Sequence, residues 1–293
     1  MEFGRLLTAM ITPFHPDESV NYEAAARLAR HLVETGSQGI VVTGTTGESP
    51  TLSTEEKLRL YRTVKEAVGD RAAVVAGTGT YSTRESVELT QEAERLGVDG
   101  AMLVVPYYSN PPQEGLYQHF KRVAESTSLP IILYNIPSRS PRNMEAATTI
   151  RLAEVPNIVA IKEASGKLEQ ITEIIARTPA SFRLYSGDDS STLPLMSLGG
   201  YGIISVAAHA AGRQIRQMVD LFAEGRVAEA AELNGRLLPF FQACFCTTNP
   251  IPIKAAVSLL GIPAGGVRLP LIPADETVTA AIRGAMADLG LLP

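Results

Sequence analysis

Lys162 lies in the run Ile158-Val159-Ala160-Ile161-Lys162-Glu163-Ala164-Ser165, and it is the sharpest chemical signal in the chain. An amine set in an otherwise apolar, strand-like run loses hydration, and burial disfavours its charged form. A lysine whose pKa falls in this way becomes nucleophilic near neutral pH and suits imine formation with a ketone. The ordinary alternative is an ion pair with a nearby acid, Glu163 or Asp188. A second run, Leu133-Tyr134-Asn135-Ile136-Pro137-Ser138-Arg139, offers a phenol able to move protons at a carbinolamine and a guanidinium able to grip a carboxylate. Tyr134 could equally be a core residue with a wet hydroxyl. Gly44-Thr45-Thr46-Gly47-Glu48-Ser49 sets two hydroxyls between glycines. Such a loop either gathers Oγ atoms and N–H groups on a small carboxylate or is a tight turn whose threonines cap the next helix. Tyr107-Tyr108, an exposed pair before the stiff Ser109-Asn110-Pro111-Pro112, suits a site rim or a subunit interface, the interface being the safer reading. Gly187-Asp188-Asp189 resembles a metal or phosphate turn, although two acids after a glycine also begin helices.

Other chemistries find little support. His15, His31, His119 and His209 show no shared ligand spacing. Cys244-x-Cys246 has no second Cys or His cluster, and apolar packing explains it better than a metal does. No dinucleotide fingerprint or P-loop occurs, which argues against nucleotide binding. With 26 Lys+Arg against 31 Asp+Glu the net charge is −5, which argues against a nucleic-acid partner. Apolar residues make up 45% and charged residues 19%, a soluble globular balance. No apolar run approaches the roughly 18 residues of a membrane span. The opening MEFGRLLTAMITPFHP lacks a basic leader, and two cysteines without an export signal suggest a reducing, cytoplasmic setting.

The elements that must position these groups alternate along the chain. Strand-like runs cover Leu6–Thr12, Gly39–Thr43, Ala72–Gly77, Gly100–Pro106, Pro130–Tyr134, Ile158–Ala164, Phe182–Ser186 and Gly202–Ala207. They are short, rich in Val and Ile and nearly free of charge, as strands buried on both faces are. Helical patterns lie between them at Tyr22–Glu34, Thr54–Val68, Thr83–Leu96, Gln113–Ser126, Met144–Ala153 and Lys167–Arg177. Ser53-Thr54-Glu55-Glu56 predicts a cap with acids in the first turn, Ser82-Thr83-Arg84-Glu85 a capping box, and Gly36, Gly69 and Gly97 helix ends. Eight strand-then-helix units imply parallel strands, and their even spacing favours closure into an α/β (β/α)8 TIM barrel. Residues 1–225 form that barrel on this reading. Residues 226–293 form a C-terminal helical appendage, with helices at Arg226–Phe245, Ile253–Leu260 and Glu276–Leu289. In a TIM barrel the chemistry sits at the carboxyl ends of the strands, which is where Thr45, Tyr134 and Lys162 fall.

The three motifs together resemble the dihydrodipicolinate synthase branch of the pyruvate-dependent class I aldolases, a family that includes N-acetylneuraminate lyase. The likeness runs nearly end to end, through Pro106-Tyr107-Tyr108, Gln113-Glu114-Gly115-Leu116-Tyr117, Ser186-Gly187-Asp188-Asp189 and Asn249-Pro250-Ile251-Pro252-Ile253-Lys254. Paired Thr45-Thr46 and the Arg139 after Ser138 narrow it to this branch, since sialate lyases tend to have Ser-Thr in the first place and no arginine in the second. The resemblance implies a lyase that condenses pyruvate with L-aspartate 4-semialdehyde at the first committed step of lysine and diaminopimelate biosynthesis. On this reading Lys162 forms the imine, and Tyr134 relays protons through Thr45 to Tyr108 of a neighbouring subunit. Thr46 holds the pyruvate carboxylate and Arg139 that of the semialdehyde. Gly187 and Ile204 line the pocket, with Asp188 near its entrance. No cofactor is needed on this reading, because the enamine itself is the activated carbon nucleophile, and a homotetramer of paired dimers is expected. A sister aldolase acting on a sugar-derived 2-keto acid remains a competitor, as does a non-catalytic ligand-binding barrel. Relatives inhibited by lysine bind it at positions matching Ser49, Pro50, Leu52, Lys57, Tyr81, Glu85 and Tyr107. Feedback-sensitive bacterial enzymes tend to carry His or Glu in place of Lys57 and Asn in place of Tyr81, so this allosteric site is expected to be inactive.

Overall fold

In the computed structural model, which describes residues 3–292, eight parallel strands close into a barrel in sequence order. They are β1 (Leu6–Ala9), β2 (Gly39–Val42), β3 (Ala73–Gly77), β4 (Gly100–Val104), β5 (Ile131–Asn135), β6 (Ile158–Glu163), β7 (Arg183–Ser186) and β8 (Gly202–Ser205), and β8 pairs with β1. Side chains along a strand alternate between two cores. Leu7, Val41, Val75, Met102, Ile132, Ala160, Tyr185 and Ile204 fill the barrel interior. Their neighbours Leu6, Ile40, Val74, Leu103, Leu133, Ile161, Leu184 and Ile203 join the larger core shared with the helices. That double burial explains why the strands read as continuous apolar runs.

Helices follow the strands: α1 (Tyr22–Glu34), α2 (Thr54–Val68), α3 (Thr83–Arg95), α4 (Gln113–Ala124), α5 (Ala146–Leu152), α6 (Leu168–Arg177), α7 (Thr192–Ser197) and α8 (Ala208–Ala223). Each expected helix is present to within two residues at either end. Ser53 and Glu56 form a complete capping box at α2. At α3 only half of the expected box forms. The Glu85 amide donates to Ser82 Oγ at 3.3 Å, but the Glu85 carboxylate accepts from Thr80 Oγ1 instead, at 3.4 Å. Gly36, Gly69 and Gly97 all follow helix ends at positive φ.

After α8 come α9 (Val227–Cys244), α10 (Ile251–Leu259) and α11 (Glu276–Asp288), without further strands among the described residues. Helix α9 packs on α8 and α11, and α10 on α8 and α11. Cys244 is buried in this packing and Cys246 is exposed. No described helix is long and apolar enough to cross a membrane.

Candidate active site

Parity along β5 and β6 decides what enters the barrel mouth. Tyr134 and Lys162 are register partners, as are Lys162 and Tyr185. Lys162 stands two residues beyond Ala160 and so shares its interior face. Its neighbour Glu163 faces the helices, where it accepts from Asn135 Nδ2 at 3.1 Å and from the Ser165 amide at 2.7 Å. Asp188 Oδ1 is occupied with Ser190 Oγ and the Ser191 amide, at 2.6 and 2.9 Å. Neither expected ion-pair partner therefore reaches the amine. Among the described residues Lys162 has no ion pair, although it is only 4% exposed. Its Nζ lies 4.3 Å from the centroid of the Tyr134 ring.

Burial pulls the Lys162 amine down to about 8, the attraction of Asp189 opposing the fall and the charge of Arg139 adding to it. At pH 7 about a tenth of such an amine is neutral, against roughly one part in three thousand of an ordinary lysine. Burial pushes the Tyr134 phenol up to about 12, against the charge of Arg139 and a hydrogen bond with the Thr45 side chain. Tyr134 therefore carries its proton at neutral pH and can lend it. Gly187 packs against the lysine stem. A Cβ there would stand 3.3 Å from Lys162 Cε and 2.7 Å from the Ala164 Cβ, which leaves room only for glycine. Ile204, on β8, is buried inside the barrel.

Above these groups opens a cavity of about 240 Å³, walled by residues that include Gly44, Thr45, Ser49, Pro50, Tyr107, Tyr134 and Arg139. Thr46 is buried beside it, its Oγ1 accepting from Asn249 Nδ2 at 2.8 Å. Arg139 Nη2 donates to the Asn249 carbonyl at 3.3 Å. Asn249 has no role on sequence grounds, because nothing local to it announces a contact 203 residues away. Thr43 is also missed: it turns the end of β2 at φ 55° and bonds the Tyr61 hydroxyl at 2.8 Å.

One reading needs correction. Tyr107 and Tyr108 are not both exposed: Tyr107 is half-buried, its ring edge-on to Tyr81 at 5.4 Å. Tyr108 alone projects, 94% exposed at φ 70°, and it does not touch the cavity of its own chain. Of the two readings of Gly187-Asp188-Asp189, it is the helix start that the structure shows, and among the described residues no group of three His, Cys, Asp or Glu is placed to hold a metal ion. Asp188 ties down the turn before α7, while the buried Asp189 accepts from Ser205 Oγ and from the amides of Val206 and Ala207 at 3.1 and 3.2 Å. The positions matched to lysine binding do gather. Lys57 is half-buried and within electrostatic reach of Glu85, whose attraction opposes the burial that lowers its pKa. Burial, Tyr81 and Glu85 together push the Tyr107 phenol up.

A closed barrel of eight parallel strands, each followed by a helix, is a TIM barrel, a fold whose chemistry sits at the carboxyl mouth where Tyr134 and Lys162 stand. The chain belongs to the dihydrodipicolinate synthetase family, whose model matches residues 2–288. It is 61% identical over 292 residues to the 4-hydroxy-tetrahydrodipicolinate synthase of Moorella thermoacetica, covering all of both chains. It is 55% identical to the enzyme of the same name from Desulforamulus reducens, covering 100% of this chain and 99% of that one. Among solved structures, the lysine-bound enzyme from Cyanidioschyzon merolae superposes with a TM-score of 0.98 at 48% identity, over 99% of each chain. A dihydrodipicolinate synthase from Bacillus anthracis gives 0.95 at 44% identity, over 98% of each.

Proposed function

We propose that the barrel mouth is an imine-forming aldol site in which Lys162 is the nucleophile. The reaction of the chain is that of its family: pyruvate and L-aspartate 4-semialdehyde condense to 4-hydroxy-tetrahydrodipicolinate, a lyase-class step of lysine biosynthesis. The neutral Lys162 amine adds to the pyruvate ketone and water leaves, giving an imine. Loss of a proton from the methyl carbon gives an enamine, and that carbon attacks the aldehyde of the semialdehyde. The substrate's own amine then closes on the imine carbon and releases Lys162. Tyr134, paired with Thr45, gives and takes the protons of these steps. Thr46 holds the pyruvate carboxylate and Arg139 the carboxylate of the semialdehyde. Gly187 and Ile204 shape the floor, and Asp188 stands toward the entrance.

Tyr108 belongs to this site only if a second copy supplies it. Its outward projection supports a homo-oligomer, which we take to be a tetramer of paired dimers. The run of helices after α8 supports treating residues 226–293 as an extension of a barrel formed by residues 1–225. Free cysteines at 244 and 246 fit a reducing compartment, the cytoplasm.

The observation that carries the reading is a buried lysine with no ion pair beside a protonated phenol. Borohydride reduction in the presence of pyruvate should add irreversible mass at Lys162, and Lys162→Ala should gain none. An adduct retained in the mutant would place the nucleophile elsewhere.

A further inference from the structure

The molecule buries an ion pair that the reaction above does not use. Lys254 Nζ on α10 lies 2.6 Å from Glu48 Oε1, with side chains 4% and 1% exposed. Glu48 ends the loop that carries Thr45 and Thr46, and its backbone is left-handed at φ 56°. Its amide donates to the Thr45 carbonyl at 3.0 Å, so a displacement of Glu48 is felt directly at Thr45.

The pair is built into a larger brace. Glu48 Oε2 accepts from the Arg268 amide at 3.0 Å, and the Arg268 guanidinium donates to the Thr51 carbonyl at 2.7 Å and to Glu56 at 2.6 Å. Lys254 donates to the Gly266 carbonyl at 2.5 Å and lies 4.2 Å from the Phe14 ring centroid. Five residues before Lys254, Asn249 donates to Thr46 Oγ1. One short segment of the extension thus grips the loop at two points, Thr46 through Asn249 and Glu48 through Lys254. Because Thr46 Oγ1 accepts from Asn249, the hydroxyl proton of Thr46 is left to donate to another group, which is the polarity a carboxylate ligand requires.

A buried ion pair is a weak stabiliser compared with apolar packing of the same volume, whereas removing one partner leaves a costly lone charge. Such a pair is better suited to fixing a register than to holding the fold together. We propose that Glu48 and Lys254 are positioning residues, their buried pair locking the Thr45–Thr46 loop in the geometry that receives the pyruvate carboxylate. The inference rests on the site reading given above.

The test compares full-length Lys254→Met, Glu48→Gln and the double variant with the parent. The readings are the pyruvate dependence of imine trapping and of initial rate, the semialdehyde KM, kcat and the melting temperature. Each single variant should raise half-saturating pyruvate by about tenfold and, through Thr45, lower kcat, while the semialdehyde KM stays within about threefold. The double variant leaves no lone buried charge and folds where a single variant fails. Its half-saturating pyruvate should be intermediate, about threefold above the parent. A pyruvate dependence equal to the parent's in the double and in the singles that fold, with only melting temperatures lowered, overturns the inference alone. Failure of the parent itself to trap pyruvate overturns the site reading and this inference with it.

Discussion

Replacing Lys162 by methionine should stabilise the fold while abolishing imine formation, and the gain should depend on pH in a calculable way. The Lys162 pKa of about 8, against the ordinary 10.5, already contains the attraction of Asp189. Below pH 8 the amine is protonated in both folded and unfolded chains, and the folded state carries the full cost of burying the charge. Between 8 and 10.5 the unfolded chain binds more protons than the folded one, so stability rises with pH and the cost fades. Above both values none of it is left. At 1.36 kcal/mol per unit the cost is about 3 kcal/mol at pH 7, about 2 at pH 9 and close to zero by pH 11.

Methionine removes the charge but keeps an unbranched stem against Gly187, so little cavity is created. The Lys254 amine, which burial also holds at about 8, titrates in the same window but is present in both proteins and cancels. At roughly 2 °C per kcal/mol for a chain of this size, the variant should melt about 6 °C above the parent at pH 7. The offset should shrink steadily as pH rises. Thermal melts of both proteins at equal concentration across pH 7 to 10.5 read this directly. A parent more stable than the variant at pH 7, or an offset that does not change with pH, would refute the claim that Lys162 is a desolvated ammonium held without an ion pair.

Arg139→Ala should raise the semialdehyde KM by about a hundredfold and leave the pyruvate dependence nearly unchanged, because a charge-assisted pair to one substrate is lost; equal losses for both substrates would sink the assignment. The same variant removes a positive charge that helps hold the Lys162 amine down, so the pH midpoint of imine trapping should move upward. If Tyr108 reaches a neighbour's site, oligomers mixed from Tyr108→Phe and Lys162→Ala subunits should regain activity that neither parent oligomer has, and none would return if the tyrosine served its own chain. L-Lysine should inhibit weakly or not at all. Lys57 brings an ammonium beside Glu85, the acid a lysine ligand would need, and Tyr81 fills space against Tyr107. Two like charges at about 4 Å oppose each other by about 1 kcal/mol in water and more in a partly buried cleft. Strong inhibition below millimolar lysine in an initial-rate titration would overturn that reading.

The parts of this molecule legible in the sequence are those whose cause is local. Strand runs such as Ile131-Ile132-Leu133 announce themselves because both faces are buried, and α2 because its cap and its first-turn acids lie within four residues. The strand-end filter is enough to select Thr45, Tyr134 and Lys162, since closure of the barrel brings all carboxyl ends to one mouth. Contacts between distant segments leave no such trace. Asn249 and Lys254 meet the β2 loop only after the extension folds back, and no spacing in either segment encodes the meeting. Asp188 and Asp189 are interchangeable as letters; a single backbone turn sends one to tie the Ser190–Ser191 turn before α7 and buries the other at the end of β8. Tyr107 and Tyr108 differ in the same way, the left-handed backbone of Tyr108 turning it outward while Tyr107 packs on Tyr81.

Register ties these observations to function. Strand β6, at six residues the longest of the eight, follows a register irregularity between Ile131 and Ile132 on β5, after which Tyr134 faces Lys162 and Asn135 faces Glu163. A slip of one residue would exchange the faces of the whole strand. Glu163 would then enter the mouth, Lys162 would press against the helices that now receive Glu163, and the Asn135 and Gln170 amides would lose their acceptor. The same slip would turn Ile158 and Ile161 out of the outer core. The apolar alternation that closes the barrel and the single lysine that gives it a reaction therefore depend on one choice of register. The polar pairing of Glu163 outside the barrel favours the same choice as the isoleucines do. Alanine in place of Asn135 and Gln170 would leave the Glu163 carboxylate short of donors and loosen the fold at the place where Lys162 is aimed, and so the residues behind the strand bear on the chemistry in front of it.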